Sequence, residues 1–191
     1  MDRASERFAI DRRGFLAGAA ILLVWPRLAR AADAPEGAKL PEATVRLLES
    51  SPLVYISPLR KDGTESTCHA EIWYAWIDGA VIVNTRPDGW RARAVARGQD
   101  RARIWVGDHG RWKSHLGPDN QGFRDAPSFE AVGRLEKDKA LLEKQLAAYV
   151  KKYGADFDRW HDEMRDGIDK GTRILIRYEP VKAGPPAGSK G

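Results

Sequence analysis

Residues Leu53 to Thr85 read LVYISPLRKDGTESTCHAEIWYAWIDGAVIVNT. Two tight-turn signals divide the stretch, Lys61-Asp62-Gly63-Thr64 and Asp78-Gly79. Asp-Gly pairs tolerate the positive φ that short antiparallel connections require. The flanking runs Leu53–Leu59, Glu65–Ile77 and Ala80–Thr85 therefore predict a three-stranded antiparallel meander. Successive side chains of a strand point to opposite faces. Along the middle strand, Cys68, Ala70, Ile72, Tyr74 and Trp76 share one face, which reads as core with Cys68 a buried structural thiol. Thr67, His69, Glu71 and Trp73 share the other, mixing polar groups with a large aromatic, unusual for a plain solvent face. His69 and Glu71 read equally well as a cross-strand surface pair.

Outward from the meander, Pro41–Ser50 predicts a short helix with Val45, Leu47 and Leu48 on one side. Trp90–Arg97, stopped by Gly98, predicts another. Arg101–Val106 alternates as a strand, Phe129–Leu135 reads as a further strand, and Thr172–Tyr178 as the last. Lys137–Tyr153 predicts an amphipathic helix with Leu141, Leu142, Leu146 and Val150 inward, and Asp156–Arg165 a second one. Residues 107–127 form a long Gly/Pro/Asp/Asn-rich loop containing His109, Trp112 and His115, with Trp112 placed to cover a substrate. Many short strands with late helices predict a mainly β (α+β) chain, a small antiparallel β-barrel with peripheral helices.

The chain has 191 residues, 42% of them hydrophobic, which suits one packed domain with extensions. Its net charge of +5 is unevenly placed: residues 1–32 hold six arginines against three acids, so three of the five charges lie there. The remainder is nearly balanced, and no nucleic-acid surface is implied. One cysteine excludes an internal disulfide.

Asp11-Arg12-Arg13-Gly14-Phe15-Leu16 opens an apolar run that ends at Trp25, followed by Ala29-Arg30-Ala31-Ala32-Asp33-Ala34. The order of charged segment, short apolar run and small-residue cleavage site is that of a secretory signal. The run is too short for a membrane span, which needs about 20 apolar residues. The arginine pair before x-Phe-Leu resembles the twin-arginine signal, with cleavage after Ala31 or Ala34. That resemblance implies passage through the twin-arginine translocase as a folded protein, and a periplasmic or otherwise exported location. The expected organisation is a signal at 1–32, a linker at 33–40, the barrel domain at 41–180 and a disordered tail at 181–191.

The chain lacks Gly-x-x-x-x-Gly-Lys, Gly-x-Gly-x-x-Gly and Gly-x-Ser-x-Gly, and its histidines follow no metal-ligand spacing. The informative stretch is Val81 to Arg93, where a strand ends at Thr85, a turn follows, and a helix starts with Arg91 in its first turn. A strand-end hydroxyl, helix N–H groups and an arginine make a phosphate cradle. Solvated surface arginines explain the same residues equally well. Thr85, the turn Arg86-Pro87-Asp88-Gly89 and Trp90-Arg91-Ala92 resemble the corresponding positions of the pyridoxamine-phosphate-oxidase-like family, the flavin-binding split β-barrel. Trp90 departs from the basic residue common there.

The resemblance implies that Thr85, Arg86, Trp90 and Arg91 surround the cofactor phosphate, and that His69, Glu71, Ile72 and Trp73 form the wall against the flavin ring. It further implies a homodimeric, FMN-dependent oxidoreductase acting on a small organic substrate, with no protein acid or base assigned and no metal. A deazaflavin in place of FMN is one alternative. Another is a non-catalytic barrel binding haem or a small metabolite, with His69, His109 or His115 as an axial ligand.

Overall fold

The computed structural model describes residues 37–113 and 118–182. The signal read in residues 1–32, His115 and all but the first two residues of the expected tail lie outside the described residues. Helix α1 (Glu42–Ser50) leads into β1 (Val54–Pro58). Next come β2 (Ala70–Ile72), β3 (Ala75–Ile77) and β4 (Ala80–Thr85), then α2 (Trp90–Ala96) and β5 (Arg101–Val106). After the long loop follow β6 (Ser128–Glu136), α3 (Lys139–Tyr153), α4 (Ala155–Asp169) and β7 (Ile174–Val181). The seven strands are antiparallel, in the order β2-β1-β5-β6-β7-β4-β3.

The two edge strands of that order are consecutive pieces of one stretch, separated only by Trp73 and Tyr74. Two residues span at most about 10 Å between flanking Cα atoms, so the sheet must curl until its edges meet. The predicted meander is present in its pairings, β1 with β2 and β3 with β4. Its middle strand, expected as one run from Glu65 to Ile77, is instead two short strands that pair with opposite ends of the sheet. Ile72, Tyr74 and Trp76 pack with the barrel interior, formed by Val54, Ile56, Val83, Ile104 and Ile176 among others. Trp73, Ala75 and Ile77 pack on the outer face, with Leu141, Leu146, Tyr149 and Phe157 of the helices. The side-chain alternation thus runs through the break without changing phase.

At the break, helix α3 supplies what the sheet ladder does not. The Tyr74 N–H donates to the Tyr153 hydroxyl at 2.9 Å, and the Tyr149 hydroxyl donates to the Trp73 carbonyl at 2.8 Å. The Tyr153 hydroxyl also lies 2.9 Å from the Pro52 carbonyl and 3.0 Å from that of Tyr74. Gln145 is fully buried beside them, donating to the Ile82 carbonyl at 3.4 Å. Lys152 reaches the α1 carbonyl of Leu48 at 3.2 Å and that of Ser51 at 3.1 Å, over the Tyr74 ring. The buried face of α3 is therefore Leu141, Leu142, Gln145, Leu146 and Tyr149, and Val150, expected inward, is 50% exposed. Leu47, also expected inward, is half-exposed, while Thr44 and Leu48 are the buried positions of α1.

Three further expectations are corrected or extended. Cys68 is exposed rather than buried, because residues 66–69 lie outside the ladder, with the Cys68 N–H held by Ser66 Oγ at 3.2 Å. Trp112 does not stand over a cleft; it is buried with Tyr55, Trp105 and Phe123 under the loop. Gly37 and Ala38 of the expected linker pair with Val181 and Pro180, so the sheet reaches one residue past 180. Gly133 faces Tyr178 across β6 and β7, where a Cβ would lie 2.7 Å from the Tyr178 ring.

Tyr153→Phe removes the acceptor of a buried backbone N–H. The expected cost is about 1–3 kcal/mol, seen as a melting temperature several degrees lower; an unchanged melt would contradict the staple. Stability should also bend twice with pH. Burial pulls the Lys152 ammonium down to about 8, so the folded state sheds its proton first and stability rises from about pH 8 towards the ordinary lysine value. Burial pushes the phenols of Tyr74, Tyr149, Tyr153 and Tyr178 up, Tyr178 to about 12. Their contribution is complete below the ordinary tyrosine value near 10 and is lost progressively as pH rises above it. Melts from pH 7 to 12 check both slopes, and Lys152→Met should flatten the first alone.

Candidate functional site

The strand break, the end of β4 and helix α4 enclose a cleft of about 620 Å³, within the range of small-ligand sites. One wall is Ile72 and Trp73, with Leu53 beside them. Helix α4 contributes Trp160 and Met164, which pack in the same apolar cluster as Trp73. Trp73 is held rigidly: its ring stacks on Tyr153 at 4.5 Å and meets Tyr149 and Phe157 edge-on. Among the described residues, four arginines, Arg86, Arg111, Arg159 and Arg173, line the cleft against one acid, Glu71.

The turn after β4 closes tightly. The Gly89 N–H donates to the Arg86 carbonyl at 3.0 Å. A Cβ on Gly89 would lie 3.0 Å from that oxygen and 3.4 Å from Thr85 Oγ1, so a glycine lets the turn fold onto the threonine. Arg86 binds Asp88 through two nitrogens, each at 3.0 Å, on the exposed side of the turn. That pairing raises the Arg86 pKa and lowers that of Asp88.

Arg91 turns back towards the sheet. Its Nη2 donates to the Ala70 carbonyl at 3.2 Å and the Glu71 carbonyl at 3.4 Å, and its guanidinium lies 4.4 Å from the Trp90 ring centre. Its Nε is buried without a partner, and desolvation lowers its pKa, opposed by Tyr178 and Glu71. His69 Nδ1 lies 3.2 Å from Ser57 Oγ, and its ring meets Trp112 edge-to-face with 4.6 Å between ring centres. Desolvation, with Arg124 nearby, lowers its pKa and favours the neutral ring. Glu71, Ile72, Trp73, Thr85 and Arg86 are thus brought together on the cleft, whereas His69, Trp90 and Arg91 do not line it. Glu71 also ties the cleft to the long loop, its carboxylate accepting the Trp112 N–H at 3.1 Å.

Sequence reasoning did not single out Asn84, Arg159, Trp160 or Arg173. Asn84 left a trace, a lone amide in the β-branched run Ala80–Thr85. It is 4% exposed, with its Nδ2 3.4 Å from Gln145 Oε1 and its Oδ1 without a partner. Trp160 was legible only as part of the apolar stripe of α4. Arg173 is 12% exposed, pairs with Glu163 through Nη2, and keeps its Nε buried without a partner. An orphaned acceptor and an orphaned donor, beside a rigid aromatic wall, fit a flat ligand that carries hydroxyl or N–H donors and an anion. Among the described residues no three His, Cys, Asp or Glu side chains are grouped to hold a metal.

No protein-family model and no curated protein matches the sequence. Solved structures do match. A candidate 5-nitroimidazole antibiotic resistance protein of Bacteroides thetaiotaomicron aligns with TM-score 0.50 and 8% identity, over 76% of this chain and 82% of its own. A conserved hypothetical protein of Mycobacterium tuberculosis aligns with TM-score 0.49 and 17% identity, over 82% and 98%. A candidate pyridoxamine 5'-phosphate oxidase of Listeria innocua aligns with TM-score 0.46 and 11% identity, over 73% and 92%. With the curled antiparallel sheet and the outer helices, the fold is a split β-barrel.

Proposed function

We propose that this chain holds FMN in the cleft beside Trp73 and acts as a flavin-dependent oxidoreductase on a small organic substrate. The observation that carries the reading is the pairing of a fixed aromatic wall with an arginine-lined rim and two unpartnered buried polar atoms, Asn84 Oδ1 and Arg173 Nε. Trp73, Ile72 and Trp160 offer the surface for a flat ring and exclude water from it. Asn84 accepts a hydrogen bond from the ligand. The arginines balance a phosphate. Bound flavin supplies hydride exchange with the substrate. No side chain is assigned as an acid or base.

The reading includes export. The twin-arginine signal in residues 1–32 would carry the folded, loaded protein to the periplasm, and a second copy would cover the open side of the cleft in a homodimer. Deazaflavin in place of FMN is the second reading. Trp90, stacked on Arg91, brings no charge to a position where the family pattern has a basic residue. Among the described residues that line the cleft none is a histidine, and His115 lies outside the described residues.

Native mass spectrometry and absorption of the protein recovered from the periplasm test the proposal. The expected result is one FMN per chain in a dimer, with flavin absorption. Trp73→Ala should weaken FMN by roughly tenfold. A deazaflavin mass and its shorter-wavelength band would select the second reading. Failure to take up either cofactor at saturation would sink both.

A further inference from the structure

We infer that Arg173, set in place by Gly167 and Glu163, is the anion anchor of the cleft, that Asn84 receives a hydroxyl beside that anion, and that Arg91 is not the anchor. The inference rests on the cofactor cleft proposed above and names the ligand chemistry of one end of it: a phosphate ester of a polyol.

Position comes first. Strand β7 begins with Ile174 opposite Thr85, and Leu175 lies opposite Asn84. Arg173 is the residue before that strand, so it enters the cleft at the Thr85 end, level with the turn that carries Arg86. In register, Arg173 and Asn84 are two positions apart, about 7 Å along the strands. That spacing suits a phosphate and a hydroxyl a few bonds away on one chain.

The side chains have matching needs. Arg173 Nε is a buried donor with no acceptor, and Asn84 Oδ1 is a buried acceptor with no donor. Both line the cleft. A guanidinium presents its donors in a fixed planar fork that takes phosphate through two N–H groups at once. Glu163, 51% exposed, occupies Nη2 from outside. A phosphate in the cleft would satisfy Nε and draw Nη2 from that carboxylate.

Gly167 shows that the placement is specific. It lies inside α4, where glycine costs roughly 1 kcal/mol relative to alanine. A Cβ there would overlap Cγ of Arg173 and lie 3.0 Å from its Cβ. The arginine stem passes across the helix through the space that the glycine leaves open. Arg91, by contrast, gives its Nη2 to the Ala70 and Glu71 carbonyls and its face to Trp90, and it does not line the cleft.

The test compares FMN with riboflavin, which differ only in the phosphate, by equilibrium titration of each variant. Wild-type protein should prefer FMN. Arg173→Met should reduce that preference by roughly 10- to 100-fold while leaving riboflavin affinity unchanged. Gly167→Ala should lower it in the same direction by displacing the stem. Glu163→Gln should raise it, because the competing carboxylate is gone. Arg91→Met should leave it unchanged. A preference that survives Arg173→Met, or that falls with Arg91→Met instead, overturns the assignment. Should Arg173→Met fail to fold, the opposite signs expected for Gly167→Ala and Glu163→Gln decide the matter, and equal signs overturn it. If wild-type protein binds neither flavin, the cofactor reading fails separately. Inorganic phosphate then decides the anchor: a rise in melting temperature in wild type that Arg173→Met abolishes supports it, and no rise overturns it.

Discussion

Where one stretch of chain leaves one edge of the sheet for the other, at Trp73 and Tyr74, its backbone has no ladder partner, and two phenol hydroxyls of α3 take that place. A buried, unpaired backbone group costs about 1–3 kcal/mol, so the curled sheet is tenable only with α3 docked there. Docking fixes the rest of the outer layer. Gly154, with φ of 51°, is the single residue between α3 and α4. The reversal it permits brings Trp160 and Met164 into the cluster that holds Trp73. The cleft therefore follows from the same contacts that close the barrel.

The strand break was illegible in the sequence for a definite reason. Inward and outward side chains keep their alternation from Ala70 to Ile77, and period alone does not reveal a change of partner. The turns were legible because they are local: Asp78 and Gly79 both take positive φ, as an Asp-Gly hairpin requires. Helix α3 was legible as a helix but not in its facing. Hydropathy ranks Val150 above Gln145, yet Gln145 is buried because its amide finds partners in Ile82, Tyr149 and Asn84.

The site divides in the same way. Trp73 lies in the strand break, and Thr85 and Arg86 at the end of β4 and in the turn after it, all within one short stretch of sequence. Arg159, Trp160 and Arg173 reach the cleft from 70 to 100 residues away in sequence, through helix packing that no local pattern encodes. Arg91 shows the limit of position without side-chain direction. It stands at the start of the predicted helix, α2, but the carbonyls of β2 lie within its reach and take its donors. Asn84 carried the most readable unused signal, since a lone amide inside a buried β-branched strand must find a partner.

Four guanidiniums around one cleft would repel one another in an empty site, and nearby groups offset this at different strengths. Asp88 holds Arg86 from the outside, with both side chains at least 66% exposed, so water and salt weaken the pair. Arg159 lies over Trp160 with 5.4 Å between guanidinium carbon and ring centre. Glu163 holds Arg173, the most buried of the paired arginines here, from a half-exposed position. An incoming anion therefore exchanges partners with carboxylates already present. Exchange at the exposed Arg86 gains little, because water and salt screen both states alike. Exchange at Arg173 would gain more, because its buried Nε has no partner to begin with. On the proposed reading, discrimination between phosphorylated and unphosphorylated ligands would rest on Arg173, although four arginines carry the charge.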